Sequence, residues 1–324
     1  MPGFSHTITE ALPGGMRLDC YIAGNLSLLS RSQIKTRHLN AKINGKAVKI
    51  SRMVKSGDTL ELFWNDPDPP DLIPEDIPLD IVYEDKHTVV INKPQGMVVH
   101  PGAGNWRGTL ANALYYRRLN RLATAESPAP NNHPAGLRPG IVHRLDKETS
   151  GVIIAAYDDE ALAFLAAQFK SRKTKKTYIA IVNGIPAEKK GRIETCIARD
   201  PKDRKRFAVS PSGKLAISYY SVIKTWRTHS LVLLRPKTGR THQLRVHTRY
   251  LGHPVVGDPL YGFADPAFPN ASLMLHAKSL AIALPGDSAQ QIFKAPLPRR
   301  FIDMITDLDS RTGAQAQRLG ETNV

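Results

Sequence analysis

Two cysteines in 324 residues, Cys20 and Cys196, are too few and too far apart for a disulfide framework or a four-cysteine metal site. They are expected to be buried thiols in separate domains, which suits a reducing cytoplasm. Long apolar runs are also missing: none approaches the roughly 20 residues that a membrane-crossing helix needs. The first residues, Met1 to His6, lack the basic start and apolar stretch of a signal peptide, so a cytoplasmic protein with no membrane role is expected. No segment repeats at a fixed period. Acidic residues are in deficit, 29 against 45 lysines and arginines, for a net charge of +16. That excess favours a polyanionic partner through counterion release, although charge alone does not separate RNA from DNA or an anionic surface.

Hydrophobic residues make up 41% of the chain, enough for a sizeable core. Residues 16–64 read as a small basic module. Ser27 caps an expected helix over 27–35 with basic side chains on one face. Asn44-Gly45 supplies the two positive-φ positions of a tight hairpin, and Gly57-Asp58 gives a turn before alternating strand residues. Residues 65–78 are dense in proline and read as a semi-rigid linker.

Strand signals dominate from Leu79 onward, at 81–85, 88–94, 177–182, 215–222 and 230–234. A helix is expected over 110–119, followed by a Pro/Asn/Ala-rich loop over 121–139. Asp158-Asp159 caps another helix, whose apolar Leu162, Leu165, Ala166 and Phe169 fall at i, i+3, i+4 and i+7. Residues 241–251 form a third, stopped by Gly252, and 310–324 read as a polar, disordered tail. Strands interrupted by isolated helices indicate an α+β domain, not regular βαβ winding.

Chemistry concentrates between Gly140 and Ala156. There His143, Arg144, Asp146 and Lys147 sit between two short β-branched runs, with Ser150-Gly151 as a turn. Such charges are placed at the mouth of a buried sheet, where an aspartate beside an arginine is either a structural ion pair or a reactive group. His242 and His247 are five apart, which does not put two metal ligands on one helical face, so packing or hydrogen bonding is their expected role.

The run His143-Arg144-Leu145-Asp146-Lys147-Glu148-Thr149-Ser150-Gly151 resembles the catalytic motif of the RluA-type pseudouridine synthases, which isomerise uridine within RNA. Three more stretches match that family in order: 99–105, Lys176-Thr177-Tyr178-Ile179-Ala180, and 238–247, which contains Gln243-Leu244-Arg245-Val246-His247. Glu148 stands where many relatives carry aspartate, with the same charge. The short motifs of residues 14–64 resemble the S4 RNA-binding domain.

The resemblance implies an S4 domain at 14–64, the linker at 65–78, and a catalytic domain at 79–303 built on a mixed, mainly antiparallel sheet with a central cleft. It makes Asp146 the catalytic aspartate, either a nucleophile toward the sugar or a base that starts glycal formation. Arg245 is then its cationic partner, and Tyr178 the aromatic that stacks on uracil and handles the C5 proton. Arg144 would fill the space of the extruded nucleotide or hold it, with His143 and Leu244 also contacting substrate. The reaction has no redox step and needs no external energy, so neither cofactor nor metal is expected.

The upstream His100-Pro101-Gly102-Ala103-Gly104-Asn105 and the S4-like module look most like members acting on large-subunit ribosomal RNA, with transfer RNA second and DNA not expected. A monomer is expected, since no apolar interface stripe stands out. Two competing readings are a non-catalytic S4-type RNA-binding or ribosome-assembly protein, and a glycosidase that releases free base. The loop over 121–139 is where target choice is expected to be set.

Overall fold

The computed structural model describes residues 3–26, 28–29, 34, 39–64, 72–102, 104–123 and 139–321. The chain divides into two compact units, Met1–Leu72 and Ile73–Val324. Cys20 lies in the first and Cys196 in the second, both as free, half-buried thiols.

The first unit is a four-stranded antiparallel sheet in the order β1 (Gly3–Thr7), β6 (Thr59–Phe63), β3 (Asn40–Ile43), β4 (Lys46–Val48). A two-residue ribbon joins β2 (Met16–Arg17) to β5 (Met53–Val54), and helix α1 (Leu18–Gly24) follows β2. The β3–β4 hairpin turns at Asn44 (φ 50°) and Gly45 (φ 78°), the two left-handed positions its sequence calls for. Asn44 then ties the turn to β6: its Oδ1 accepts the Thr59 N–H at 2.9 Å. Leu18, Tyr21, Ile22, Leu60 and Leu62 form the fully buried centre.

Two features differ from expectation. Strand β1 precedes residue 14, where the module was expected to begin; Phe4 and His6 alternate with exposed Ser5 and Thr7, a pattern too short and polar to stand out. Helix α1 carries no side-chain cap at Arg17, so nothing local announces it. Of the helix expected over 27–35, only Leu28, Leu29 and Ile34 are described residues; Leu29 and Ile34 are buried.

The second unit holds a ten-stranded sheet. Its strands are β7 (Ile81–Glu84), β8 (Thr88–Lys93), β9 (Ser150–Ala156), β10 (Lys175–Asn183), β11 (Lys190–Arg199), β12 (Phe207–Val209), β13 (Lys214–Thr225), β14 (His229–Pro236), β15 (Leu275–Ile282) and β16 (Gln291–Lys294). They run in the order β12-β11-β13-β14-β10-β15-β9-β8-β7, with β16 on β15. Every ladder is antiparallel except β9–β15, so the sheet is mixed and mainly antiparallel. At that junction Tyr178 pairs with Ala277, which in turn pairs with Gly151. One row across three strands therefore joins the segment after Asp146 to Tyr178.

Helices α2 (Leu110–Ala123), α3 (Asp159–Lys170) and α4 (Gln243–Tyr250) fall where periodicity and caps place them. The Asp158 carboxylate accepts the Ala161 N–H at 2.8 Å, and Gly252 beyond α4 has φ 83°. The Pro-rich stretch is described from residue 72. From there it is strapped to α2, because Asn112 Nδ2 donates to the Ile73 carbonyl at 2.8 Å and Glu75 N donates to the Asn112 carbonyl at 3.2 Å. Residues 65–71 of that stretch, and 124–138 of the expected loop, lie outside the described residues.

The C-terminal expectation differs most. Helix α5 (Arg299–Glu321) passes the expected boundary at 303 and continues into the stretch read as tail. Phe301, Met304 and Leu308 lie along one face and join the main core with Val232 and Leu234. Ion pairs Arg299–Asp303 and Arg311–Asp307, both four apart, support the outer face. Apolar residues thin out after Leu308, which is why the rest of this helix reads as polar. Among the described residues, no helix is long and apolar enough to cross a membrane.

Candidate active site

The segment from Ile141 to Thr149 crosses the end of the sheet between an isolated bridge, Ile141 to Ala155, and the start of β9. A turn closes it, the Thr149 N–H reaching the Asp146 carbonyl at 3.1 Å. Lys93, at the end of β8, clamps it from below. Its fully buried ammonium donates to the carbonyls of Pro94 (2.8 Å), Met97 (2.9 Å) and Lys147 (3.2 Å). Burial pulls Lys93 down to about 8, against the charges of Asp146 and Glu148, which raise it. This lysine was not foreseen; next to Pro94 at a strand end it looks like a surface residue.

Above the segment lies a cavity of about 470 Å³, within the range of small-molecule sites. Asp146 is the only carboxylic acid among the described residues that line it. Lys170, Arg172, Lys176, Lys237 and Arg240 make its wall basic, and Leu244, Tyr178 and Phe169 supply apolar surface.

Asp146 is held between two groups from the start of α4. Arg245 Nη1 lies 3.5 Å from Asp146 Oδ2, and His242 Nε2 lies 3.9 Å from the same oxygen. Arg245 does not give Asp146 its best hydrogen bonds. Its Nε and Nη2 each donate at 2.7 Å to the two oxygens of Asp258, a carboxylate with no exposed side-chain surface. Asp258 also accepts the N–H groups of Leu260 (2.9 Å) and Tyr261 (3.0 Å). Burial raises the Asp258 carboxyl, but the Arg245 guanidinium and these N–H groups bring it below the usual aspartate range. The expected pairing of Arg245 with Asp146 is present, then, as the longer of two contacts.

His242 makes a hydrogen bond, one of the two roles expected of it, and also faces Asp146. It precedes α4 in the left-handed region, φ 55°, where residues other than glycine are uncommon. Its Nδ1 sits 2.8 Å from Tyr261 Oη, which accepts the Phe207 N–H at 2.8 Å. Burial lowers this imidazole, with Asp146 acting against it. His247 is the buried hydrogen-bonding residue expected, 3.1 Å from Thr195 Oγ1. Among the described residues, no group of three or more His, Cys, Asp or Glu is placed to hold a metal ion.

Tyr178 faces the cavity from β10, half-buried beside a bulge. Burial, then the Asp146 charge, push its phenol well above the ordinary tyrosine value, so it is protonated at neutral pH. His143 stacks on Phe169 with centroids 4.5 Å apart and accepts the Ile154 N–H at Nε2 (3.0 Å). That bond and burial, which lowers the ring to about 3, keep it neutral and leave only Nδ1 for a ligand. Arg144 is exposed at the rim, and Leu244 is nearly buried in the wall. All six expected site residues, from three separate segments, thus line one cavity.

The sequence of residues 87–250 matches the family model described as RNA pseudouridylate synthase. The chain belongs to this family. It is 42% identical over 299 residues to ribosomal large subunit pseudouridine synthase D of Borreliella burgdorferi, covering 90% of this chain and 89% of that one. Against the protein of the same description from Zymomonas mobilis it is 38% identical, covering 92% and 95%. The solved structure of human RNA pseudouridylate synthase domain containing 4 superposes with a TM-score of 0.56 at 28% identity, covering 71% of this chain and 93% of the human one. An RNA pseudouridine synthase breaks the N1–C1′ bond of uridine, turns the uracil and joins C5 to C1′, and the basic cavity has room for a base held in place while it turns.

Proposed function

We propose that the chain isomerises uridine to pseudouridine in large-subunit ribosomal RNA, with Asp146 as the catalytic carboxylate. The observation that carries this is the arrangement at Asp146: the sole lining carboxylate among the described residues, facing a guanidinium that Asp258 fixes from behind. A fixed positive charge beside Asp146 costs no reorganisation when the glycosidic bond breaks. Asp146 acts on the sugar or its attached proton, N1 is released from C1′, and C5 then bonds to C1′. The C5 proton leaves and N1 regains one, so the RNA keeps its mass.

Tyr178 lies where it can stack on the detached uracil. As a neutral phenol it takes the C5 proton only while passing its own on, so it relays and does not store the proton. Arg144 at the rim is suited to the extruded nucleotide's phosphate or its vacated space. The basic wall and the runs at 170–176 and 204–206 track the RNA backbone.

Ribosomal RNA is favoured over transfer RNA by the large-subunit enzymes that match nearly end to end. The first unit is read as an S4-type RNA-binding domain. Its groove lined by Lys46, Lys49, Arg52 and Lys55 supports that reading. A monomer acting in the cytoplasm completes the proposal.

The test is tritium release from RNA labelled at uracil C5, using unmodified large-subunit ribosomal RNA and transfer RNA transcripts. Release from the ribosomal transcript is expected, reduced on the order of 10³-fold or more by Asp146→Asn. Equal release by both proteins would remove Asp146 from its role. Free uracil among the products would mean a glycosidase, and release from transfer RNA alone would change the substrate.

A further inference from the structure

Three tryptophans occur in the chain. Trp64 and Trp226 are 9% and 5% exposed, and Trp226 Nε1 donates to Asp309. Trp106 is 59% exposed, and its indole has neither a hydrogen bond nor a ring partner among the described residues. A single exposed apolar side chain is ordinary on a protein surface. A free indole on an anchored backbone, tied to the segment that carries Asp146, is less so.

The backbone on both sides of Trp106 is anchored. Gly102 and Asn105 exchange N–H···O bonds of 3.1 and 2.8 Å, and the Gly108 N–H donates to the Glu75 carboxylate at 3.1 Å. Residue 109 then enters the α2 cap, its N–H bonded to Asn112 Oδ1 at 3.0 Å. The loop is also tied to the Asp146 segment, because Lys147 Nζ reaches Asn105 Oδ1 at 3.5 Å. Desolvation and then the charge of Arg144 lower His100, at the start of the same loop. Arg107 follows Trp106 directly. The backbone that carries the indole is therefore tied through Asn105 and Lys147 to the segment that bears Asp146, and Arg107 is its chain neighbour.

An aromatic face with cations alongside fits a nucleotide, base on ring and phosphate on ammonium or guanidinium. We infer that Trp106 is a stacking platform for an unpaired nucleotide flanking the target uridine. The inference rests on the reading that the chain acts on RNA. Extruding the target unstacks its neighbours, at roughly a few kcal/mol. An indole carried on an anchored backbone returns part of that stacking. Nothing in this role requires contact with the reacting atoms, so Trp106 contributes to RNA binding and to which flanking sequence is accepted.

Since the other two tryptophans are buried, the solvent-exposed emission of the full chain reports on Trp106. Binding is followed independently by anisotropy of an end-labelled, unmodified large-subunit ribosomal RNA transcript at fixed salt. The transcript is expected to quench the exposed emission and to shield it from acrylamide. Trp106→Phe should abolish the quench while keeping Kd within about 3-fold, because a flat aromatic remains. Trp106→Ala should raise Kd and KM about 5- to 150-fold, with single-turnover tritium release at saturating RNA and the thermal midpoint both unchanged. Binding by anisotropy with unaltered indole emission, or an unchanged Kd for Trp106→Ala, would overturn the inference. Failure of the wild type to bind the transcript at all would overturn the ribosomal RNA reading together with it.

Discussion

Arg245 divides one guanidinium between two carboxylates that serve different ends. Asp258 takes both short bonds in a site closed to solvent, whereas Asp146 stands 3.5 Å away with 20% of its side chain exposed. The first pair anchors the charge; the second presents it to the cavity. Removing one partner of a buried pair costs more than the pair contributes, because the survivor remains charged without its counterion. Asp258→Asn keeps Oδ1, the acceptor for the Leu260 and Tyr261 N–H groups, but deletes the charge and replaces the Oδ2 that accepts from Arg245 Nε with an amide donor. It should lower stability in urea by about 3 kcal/mol and reduce kcat, as Arg245 relaxes toward Asp146. A urea midpoint equal to the wild type's would mean that Asp146 alone can balance the charge. That Asp146, Tyr178 and Arg245 would meet in one cavity was legible because each sits in a motif whose local order is distinctive. Asp258 was not, since Gly257-Asp258-Pro259 reads as an ordinary turn and its partner lies a helix away. Lys93 and the strained His242 were hidden for a related reason: burial and backbone strain are set by tertiary neighbours, not by adjacent residues.

The elements that could be read from sequence are those whose signals are local. The Asn44-Gly45 hairpin and the Asp158 cap of α3 need only their own few residues to form. Strands β15 and β16 owe their existence to neighbours supplied by distant segments. Strand β11 and the start of helix α5 instead carry readable periods of their own, Ile193, Thr195 and Ile197 in one and Phe301, Met304 and Leu308 in the other. The parallel contact of β9 with β15 is of the neighbour-dependent kind, and it depends on one glycine. Gly151 has φ 113°, and a Cβ there would lie 2.2 Å from the Ala277 carbonyl oxygen, a backbone atom that cannot turn aside. Gly151→Ala should therefore force β9 off β15, costing about 3 kcal/mol or more, and should lower activity further because the same row holds Tyr178. Gly45→Ala is the matched comparison: φ is also positive, 78°, but nothing lies within 4 Å of the added carbon. It should cost only about 1 kcal/mol. Thermal unfolding of the two variants side by side checks the difference, and equal losses would mean that backbone strain alone, without the clash, sets the cost.

For the molecule as a whole, a net charge of +16 makes RNA binding steeply salt-dependent and makes further protonation costly to the folded state. Three histidines decide where that cost begins. His143, His247 and His276 are lowered by burial from 6.5 to about 3, 4 and 4, with the Lys176 charge adding to His143 and that of Arg300 to His276. Folded, they stay neutral well below the pH at which the unfolded chain protonates them. The unfolded state therefore binds more protons between about pH 6.5 and 4, and stability rises with pH across that window. The contribution is complete above 6.5 and drains away as pH falls toward 4, at up to about 1.4 kcal/mol per pH unit for each histidine. Asp258 works in the same direction but lower, since its folded value lies below the ordinary 3.8 and its share is lost only in stronger acid. Acid sensitivity should thus set in far above the carboxylate range. Urea unfolding at constant ionic strength should show stability dropping between pH 6.5 and 4.5. His247→Gln, which keeps a side chain able to bond Thr195, should reduce that slope by about one proton's worth whatever it does to stability at pH 7. An unchanged slope in the variant would show that His247 takes up its proton in the folded state, with the unpartnered Nδ1 finding water to receive it.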